Sequence, residues 1–220
     1  SGPLPWIAAA ALLVVAGLVA LVVVSAGGDD DPVRVVTKPS TGGPQLLVGV
    51  DEQSRLAVFD TGTGRRVRTL TEEEPGGGVP ALSPSSDGQF VYYQRGLGTC
   101  GTAIDRVDVR SGDGARIVDE SDGPAGRPAI SPSGSMLAYV THTCDRDQQE
   151  TLHVLDLRTA QEWSRPIPPD RAIVGGMAWS PDGRYVAYLT GPREGDVVDT
   201  VELFDVGDPA ATPTIATGNS

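Results

Sequence analysis

The chain combines a strongly acidic composition with many turn-forming residues: its 220 residues carry a formal net charge of −12 and include 28 Gly and 18 Pro. This negative charge opposes contact with phosphate backbones and argues against a nucleic-acid partner. The Gly and Pro content, with 39% hydrophobic residues, is more typical of a turn-rich β-protein than of a helical one.

The first predicted element is a single transmembrane α-helix over residues 6–24. This stretch, WIAAAALLVVAGLVALVVV, has no charged or strongly polar side chain. As a helix, its last 18 residues would extend about 27 Å, which nearly matches the ~30 Å hydrocarbon core of a bilayer. Trp6 lies where an interfacial aromatic residue belongs. Two alternatives stay open: a buried core helix, and a signal peptide cleaved after the sequence VSA at 24–26, although signal peptides have shorter apolar cores.

The residues on either side of this helix predict its orientation. Residues 1–5 are interpreted as the end of an upstream cytoplasmic region, because the chain begins at Ser1 rather than Met. Residues 25–45 are rich in Gly, Pro, Ser and Asp and predict a flexible linker. The acidic triplet at 29–31 disfavours membrane contact after the helix and is interpreted as a solvated charge run. We therefore expect a single-pass protein of the cell membrane, with its folded domain outside the cytoplasm.

The domain over residues 46–220 repeats with one period, shown by two kinds of marker. Ser-Pro steps lie 48 and 49 residues apart, at Pro84, Pro132 and Pro181. Apolar runs that close in Asp lie 48, 48 and 49 residues apart, at Asp60, Asp108, Asp156 and Asp205. Two markers that keep the same spacing predict a structural unit built several times over.

Each repeat predicts four short antiparallel strands. In the last repeat these are 172–180, 184–190, 200–206 and a weaker strand at 212–217, with the tight-turn tripeptide PDG between the first two. Such a unit is the blade of a β-propeller. The first repeat predicts strands only at 46–50, 55–60 and 65–70, so it lacks an innermost strand. The predicted fold is thus all-β, with about four blades of a propeller that we expect to be incomplete; a four-bladed ring and an assembly closing between chains stay open.

The phrase SPDGRYVAY at 180–188 resembles the WD40-like β-propeller repeat of TolB-type proteins, in which Ser-Pro-Asp-Gly forms the turn between the first two strands. The third copy matches at Ser180, Pro181, Asp182 and Gly183. The second matches at Ser131, Pro132 and Gly134, and the first, with one inserted residue, at Ser83, Pro84, Asp87 and Gly88. The resemblance covers about residues 45–217 and implies the fold rather than a function. The strong preference for Arg over Lys is typical of a high-GC bacterium.

The sequence predicts no catalytic, cofactor-binding or metal site. It contains no G-x-S-x-G nucleophile elbow. Its two histidines, His142 and His153, are too few for a His-rich metal site, and His153 falls in a predicted third strand, where we expect a structural role. The five tyrosines fall on predicted second strands and are interpreted as packing residues: Tyr92, Tyr93, Tyr139, Tyr185 and Tyr188.

The candidate binding surface consists of the loops between second and third strands, at 95–103, 141–150 and 191–199. They are the longest and most polar loops of their repeats, and loops on a rigid scaffold commonly carry function. The linkers 71–79 and 119–127 open on the same face. Three basic residues within these loops are candidate anchors for a carboxylate ligand: Arg95, Arg146 and Arg193.

A disulfide between Cys100 and Cys144 is predicted on the same face. Aligning Gly88 with Gly134 places the two cysteines in the corresponding loops of consecutive blades, which lie side by side and can reach disulfide distance. Such bonds persist outside the cytoplasm, in agreement with the predicted topology. The alternative is two free thiols in a cytoplasmic domain.

The expected function is therefore that of a membrane-anchored extracytoplasmic propeller that binds a protein, peptide or cell-wall ligand. It would serve as the sensor half of a receptor, such as a receptor-type Ser/Thr kinase, or as a free-standing scaffold. The alternative is an enzyme, either the propeller portion of a peptidase whose hydrolase domain lies outside this stretch or a propeller that uses its central channel. No cofactor is expected in either case.

Overall fold

A computed structural model describes residues 11–15, 18–22, 46–72, 81–97, 101–119, 124–145, 149–193, 198–211 and 214–219. The regular structure in these ranges consists of β-strands alone. We number the strands β1 to β17 in chain order.

The apolar N-terminal segment contains two paired strands. β1 (Ala11–Val15) and β2 (Leu18–Val22) are antiparallel, with Val15 opposite Leu18. These ten residues therefore differ from the helix predicted over 6–24; Val, which is stiff at χ1, favours extended backbone. Within the described ranges, no helix is both long and apolar enough to cross a membrane. The linker predicted over 25–45 lies outside the described residues.

Four antiparallel sheets follow, each with its strands in chain order. The first sheet has three strands: β3 (Leu46–Val50), β4 (Leu56–Asp60) and β5 (Arg66–Thr69). The second has β6 (Leu82–Pro84), β7 (Phe90–Gly96), β8 (Thr102–Asp108) and β9 (Gly114–Val118). The third has β10 (Ala125–Ile130), β11 (Met136–His142), β12 (Glu150–Asp156) and β13 (Glu162–Pro166). The fourth has β14 (Arg171–Trp179), β15 (Tyr185–Pro192), β16 (Val198–Asp205) and β17 (Thr214–Asn219). This confirms the four-strand repeat and the shorter first sheet.

One end of each four-stranded sheet is closed by the turn between its first two strands. In the last sheet, Ser180 Oγ accepts the backbone N–H of Tyr185 at 2.9 Å and donates to Asp182. Gly183 follows with a φ of 71°, in the left-handed region that glycine adopts without a steric penalty. In the third sheet, Ser131 Oγ accepts the N–H of Met136 at 3.0 Å and Gly134 takes the left-handed position.

The second sheet corrects the sequence alignment of its turn. Ser85 Oγ, rather than that of Ser83, accepts the N–H of Phe90 at 2.9 Å and donates to Asp87. The turn is therefore formed by residues 85–88, without an inserted residue. Ser83 and Pro84 lie within β6, and Ser83 Oγ accepts the N–H of Ile130 in the next sheet. Aligning the motif on the Ser83-Pro84 step was therefore wrong by two residues. In this copy the turn begins at Ser85, and Ser86 replaces the proline.

The turn between the third and fourth strands lies at the same end and explains the recurring Asp. Asp108 Oδ1 accepts the N–H groups of Arg110 and Ser111 at 2.7 and 2.9 Å, and Asp156 Oδ1 accepts those of Arg158 and Thr159. Asp60 and Asp205 bind turn N–H groups in the same way. A carboxylate that receives these bonds satisfies backbone donors that no strand pairs. We call this end of the sheets, with both sets of turns, the turn end.

The apolar core lies between consecutive sheets. One buried cluster joins the first and second sheets, a second joins the second and third, and a third joins the third and fourth. Four tyrosines are buried in these clusters, which confirms their interpretation as packing residues: Tyr92, Tyr93, Tyr139 and Tyr188. Tyr185 is half-buried, with the Arg184 guanidinium over its ring.

Arginine side chains bind the sheets to one another through backbone carbonyls. Arg165 of β13 donates to the carbonyls of Leu203, Pro209 and Ala211 in the fourth sheet, and its guanidinium lies 4.7 Å from the Phe204 ring centre. Arg68 of β5 donates to the carbonyls of Val109 and Arg110, in the turn between β8 and β9 of the second sheet. The sheets are therefore fixed by polar contacts at their edges as well as by apolar packing between them.

Candidate binding surface at the loop end

The opposite end of the sheets brings together the loops between second and third strands and the linkers between sheets. The backbone N–H of His142 donates to the Pro124 carbonyl at 3.2 Å, and the backbone N–H of Arg193 donates to the Asp170 carbonyl at 3.0 Å. Gln149 donates through its side-chain amide to the Ile167 carbonyl. We call this side the loop end. It contains the described parts of the three predicted binding loops.

The three arginines proposed as ligand anchors have different environments. Arg95 lies within β7 and pairs with Asp105, with 3.2 Å between Nη1 and Oδ2. Its guanidinium is thus committed to a carboxylate of its own sheet. Arg146 lies outside the described residues. Arg193 is half-buried and follows the end of β15.

Of the two cysteines of the predicted disulfide, only Cys144 lies within the described residues. Cys144 lies two residues beyond the end of β11, at the loop end. None of the described cysteines is a free thiol. Cys100 lies outside the described residues, so its pairing with Cys144 stays a prediction.

Beneath the loops, each four-stranded sheet carries a tyrosine opposite an ionisable residue. The register partners are Tyr93 and Asp105, Tyr139 and His153, and Tyr188 and Glu202. The tyrosine recurs in all three sheets, whereas its partner is an aspartate in the second sheet, a histidine in the third and a glutamate in the fourth. We call these three pairs the polar layer.

In the second sheet, the polar layer is built around the buried carboxylate of Asp105. Its Oδ1 accepts Arg116 Nε at 2.7 Å while its Oδ2 accepts Arg95. The Asp105 side chain is 7% exposed, so the two guanidinium groups supply the charge compensation that a buried carboxylate requires.

In the third sheet, His153 occupies the corresponding position. Its ring stacks on Tyr139 with 4.8 Å between centres and an interplanar angle of 10°. Nε2 bonds to Thr141 Oγ1 at 2.9 Å, and Nδ1 bonds to Glu162 Oε1, which also accepts the Tyr139 hydroxyl. Both ring nitrogens have partners within the sheet, which confirms the structural role expected for His153.

In the fourth sheet, Glu202 accepts the hydroxyls of Tyr188 and Thr190 at 3.0 and 2.7 Å. Burial, reinforced by the nearby Glu202 carboxylate, raises the pKa of Tyr188 to about 12, while the Arg165 guanidinium opposes this effect. A phenol held neutral in this way remains a hydrogen-bond donor throughout the physiological pH range.

The junction of the third and fourth sheets also depends on charged side chains that the sequence analysis missed. Glu150 Oε2 accepts the N–H of Ile173 at 2.6 Å, and Arg127 donates to the carbonyls of Ile173 and Gly175. These contacts satisfy the backbone where β14 departs from its register with β15. Arg127 itself has a φ of 54°, an uncommon conformation for a non-glycine residue.

A signal for part of this arrangement was present in the repeat. Aligned on the recurring Asp, the residue three positions earlier is Asp105, His153 or Glu202. An ionisable residue at a strand position flanked by buried apolar ones indicates a polar contact across the sheet. Nothing in the local sequence indicates the contacts of Glu150 and Arg127, because their partners are backbone atoms of the next repeat.

The exposed surface of the loop end is acidic. Among the described residues, exposed carboxylates of its loops and linkers include Glu52, Glu72, Asp119, Asp145 and Asp170. The described residues contain no group of three or more His, Cys, Asp or Glu side chains arranged to hold a metal ion.

Comparison with known proteins shows what this fold is similar to. No family model and no curated protein sequence matches the chain. Among solved structures, an oligogalacturonate lyase in complex with manganese matches with a TM-score of 0.58 and 14% identity, over 80% of this chain and 51% of that one. A TolB protein from Agrobacterium tumefaciens matches with a TM-score of 0.55 and 19% identity, over 78% and 60%. A chain of the nidogen/laminin complex matches with a TM-score of 0.53 and 14% identity, over 80% and 63%.

The chain has the fold of a β-propeller. The repeated four-stranded sheets and the likeness to TolB support the resemblance inferred from the Ser-Pro-Asp-Gly turns. The chain spans about half to three fifths of the length of these structures. At such identities the likeness establishes the fold alone, since enzymes and non-enzymatic proteins share it.

Proposed function

We propose that this propeller is a binding module whose loop end takes a protein or peptide ligand. The observation that carries the proposal is the contrast between the repeated turns at one end and the irregular loops with exposed polar residues at the other. Strands held by buried clusters on both sides provide a rigid platform, and a rigid scaffold that presents irregular loops is a common design for recognition.

The charge of this surface favours a ligand with basic groups. The exposed carboxylates at the loop end would attract such a ligand and orient it before contact. Arg95 does not serve as an anchor for a carboxylate ligand in this proposal, because its guanidinium is already paired with the buried Asp105.

We further propose that residues 6–24 anchor the module in the cell membrane, with the propeller outside the cytoplasm and a Cys100–Cys144 disulfide at the loop end. The support is the uncharged apolar sequence of this segment and the acidic residues after it. Deletion of residues 1–24 should move the protein from the membrane fraction to the soluble fraction after alkaline extraction. Retention of the truncated protein in the membrane would contradict the anchor.

Site-specific photocrosslinking in native membranes tests the binding function. A photoreactive amino acid at Asp145, exposed at the loop end, should yield a discrete adduct with a ligand. The matched control is the same amino acid at Asp113, exposed at the turn end. Equal adducts from both positions, or adducts from position 113 alone, would contradict the assignment of the loop end.

An enzymatic role is the second candidate. One similar structure, oligogalacturonate lyase, is an enzyme on this fold, so the chain would in that case be the propeller portion of a larger enzyme. The loop end would then bind the substrate or the catalytic domain. The same crosslinking would identify an adduct within one longer polypeptide instead of with a separate ligand.

A further inference from the structure

The segment that connects the third and fourth sheets presents three exposed prolines at the loop end. Pro166 is the last residue of β13, Pro168 and Pro169 follow it, and all three are exposed. Ile167 lies between them, is 1% exposed and packs in the apolar cluster between the third and fourth sheets. We call residues 166–170 the proline segment. Its exposed rings are therefore held on a buried anchor.

Hydrogen bonds fix the backbone of the proline segment. The N–H of Ile167 donates to the Glu150 carbonyl at 2.9 Å. The N–H of Arg171 donates to the Pro168 carbonyl at 2.9 Å, which closes a turn with Pro169 at its second position. Each proline ring also restricts its own φ. A surface that is ordered before contact loses little conformational entropy when a partner binds.

The connection between two sheets does not itself require this run of prolines. The corresponding linkers at 71–79 and 119–127 contain one proline each. In the proline segment, Ile167 supplies the packing between the sheets, whereas the three prolines are exposed. Their rings thus remain available for a contact outside the chain.

The chemistry of the proline segment favours aromatic side chains with a basic group beside them. A proline offers an apolar ring and a carbonyl but no N–H, and proline-rich segments characteristically bind surfaces lined by aromatic residues. Aromatic and arginine side chains are also enriched at protein interfaces. Asp170 is exposed directly after Pro169, on a surface that is already acidic. Its negative charge attracts a basic group of the partner.

We propose that Pro168, Pro169 and Asp170 form a docking element for a protein partner. The partner places aromatic side chains on the two proline rings and a basic side chain beside the carboxylate. This inference rests on the proposed binding function and names the chemistry of the partner surface. A few well-packed side chains commonly supply most of the binding energy of an interface, so a small, rigid element can contribute a large share.

Photocrosslinking of the full chain in native membranes tests the docking element. A photoreactive amino acid at Pro166, which adjoins the docking element and leaves it intact, should yield an adduct with a separate protein. Tandem mass spectrometry should locate the adduct beside a Trp, Tyr or Phe of that protein. Adding Pro168→Ala and Pro169→Ala together should lower the adduct yield about fivefold, because both rings are lost from the contact.

Pro181→Ala is the matched control. Pro181 is exposed at the turn end and also occupies the second position of a turn, which the Gly183 N–H closes by donating to the Ser180 carbonyl at 2.9 Å. This variant should leave the adduct yield unchanged. Both proline variants should keep their far-ultraviolet circular dichroism spectra, because the replaced rings are exposed.

Three outcomes would overturn the docking element. The first is an adduct that persists in the double variant, and the second is an adduct on a partner segment without aromatic residues. The third is an adduct from position 145 without one from position 166, which would leave the binding function of the loop end intact. Failure of both positions to form an adduct would contradict the binding function together with its docking element.

Discussion

The turn end and the loop end of this propeller are stabilised by different means. At the turn end, each four-stranded sheet repeats a serine that binds a backbone N–H, a left-handed glycine and an aspartate that receives turn N–H groups. Beneath the loop end, the residue opposite the repeated tyrosine position changes from Asp105 to His153 to Glu202. The turns are thus held by the same contacts in every four-stranded sheet, whereas the polar layer is satisfied by a different set of side chains in each.

The largest expected effect is at the loop end, at the predicted disulfide. Cys144→Ser should lower the free energy of unfolding by about 2–4 kcal/mol, because the bond would close a loop of 44 residues in the unfolded chain. Denaturant titration with and without reductant measures it, and reductant should weaken only the unmodified protein. Two alkylatable thiols on protein isolated from its native compartment would disprove the bond and remove the covalent difference between the ends.

The next effect distinguishes the turns from the loops. Ser131→Ala should cost about 1–2 kcal/mol, because it leaves the Met136 N–H without an acceptor at a position where the serine is buried. Thr143→Ala is the matched change at the loop end, where Thr143 Oγ1 accepts the Gln149 N–H in an exposed loop. That variant should lose less than about 0.5 kcal/mol. Equal losses in thermal melts would mean that the two ends are equally constrained.

A smaller effect isolates the backbone conformation of the turn. Gly183→Ala should cost about 1 kcal/mol, since a φ of 71° disfavours any side chain even though no atom crowds the position. Gly176→Ala is the control, because Gly176 has equally open surroundings and lacks the left-handed φ. Chemical denaturation should show no loss for Gly176→Ala; a similar loss for both would mean that crowding or unfolded-state entropy, and not φ, decides.

The smallest effect is the part of the pH dependence that the turn-end aspartates contribute. Turn N–H groups lower the pKa of Asp60, Asp108 and Asp156, and the Arg184 guanidinium lowers that of Asp205. A carboxyl with a lowered pKa in the fold stabilises it above the ordinary value of about 3.9, and this contribution is lost as the pH falls below that value. Melting temperatures should therefore decline below about pH 4. Asp108→Asn should flatten this decline, and an unchanged slope would contradict the assignment.

Much of the fold could be read from the sequence because its signals are local. The period of the recurring Asp, the alternating apolar residues and the turn glycines each act within a few residues, and the strands lie close to their predicted positions. The turn of the second sheet is the exception. Ser83 and Pro84 match the sequence motif, yet Ser85 makes the hydrogen bonds of the turn. The pairing of β6 with β7 decides which serine lies in the turn.

The tertiary structure alone decided which residues meet across sheets. Glu150 and Arg127 reach the Ile173 backbone, and Arg165 reaches carbonyls about 40 positions ahead, contacts that arise only when one repeat packs on the next. It also committed Arg95 to Asp105, although the sequence offered that arginine as a ligand anchor. Backbone carbonyls are present at every residue, so a sequence identifies the donor side chain but not the acceptor that packing brings to it.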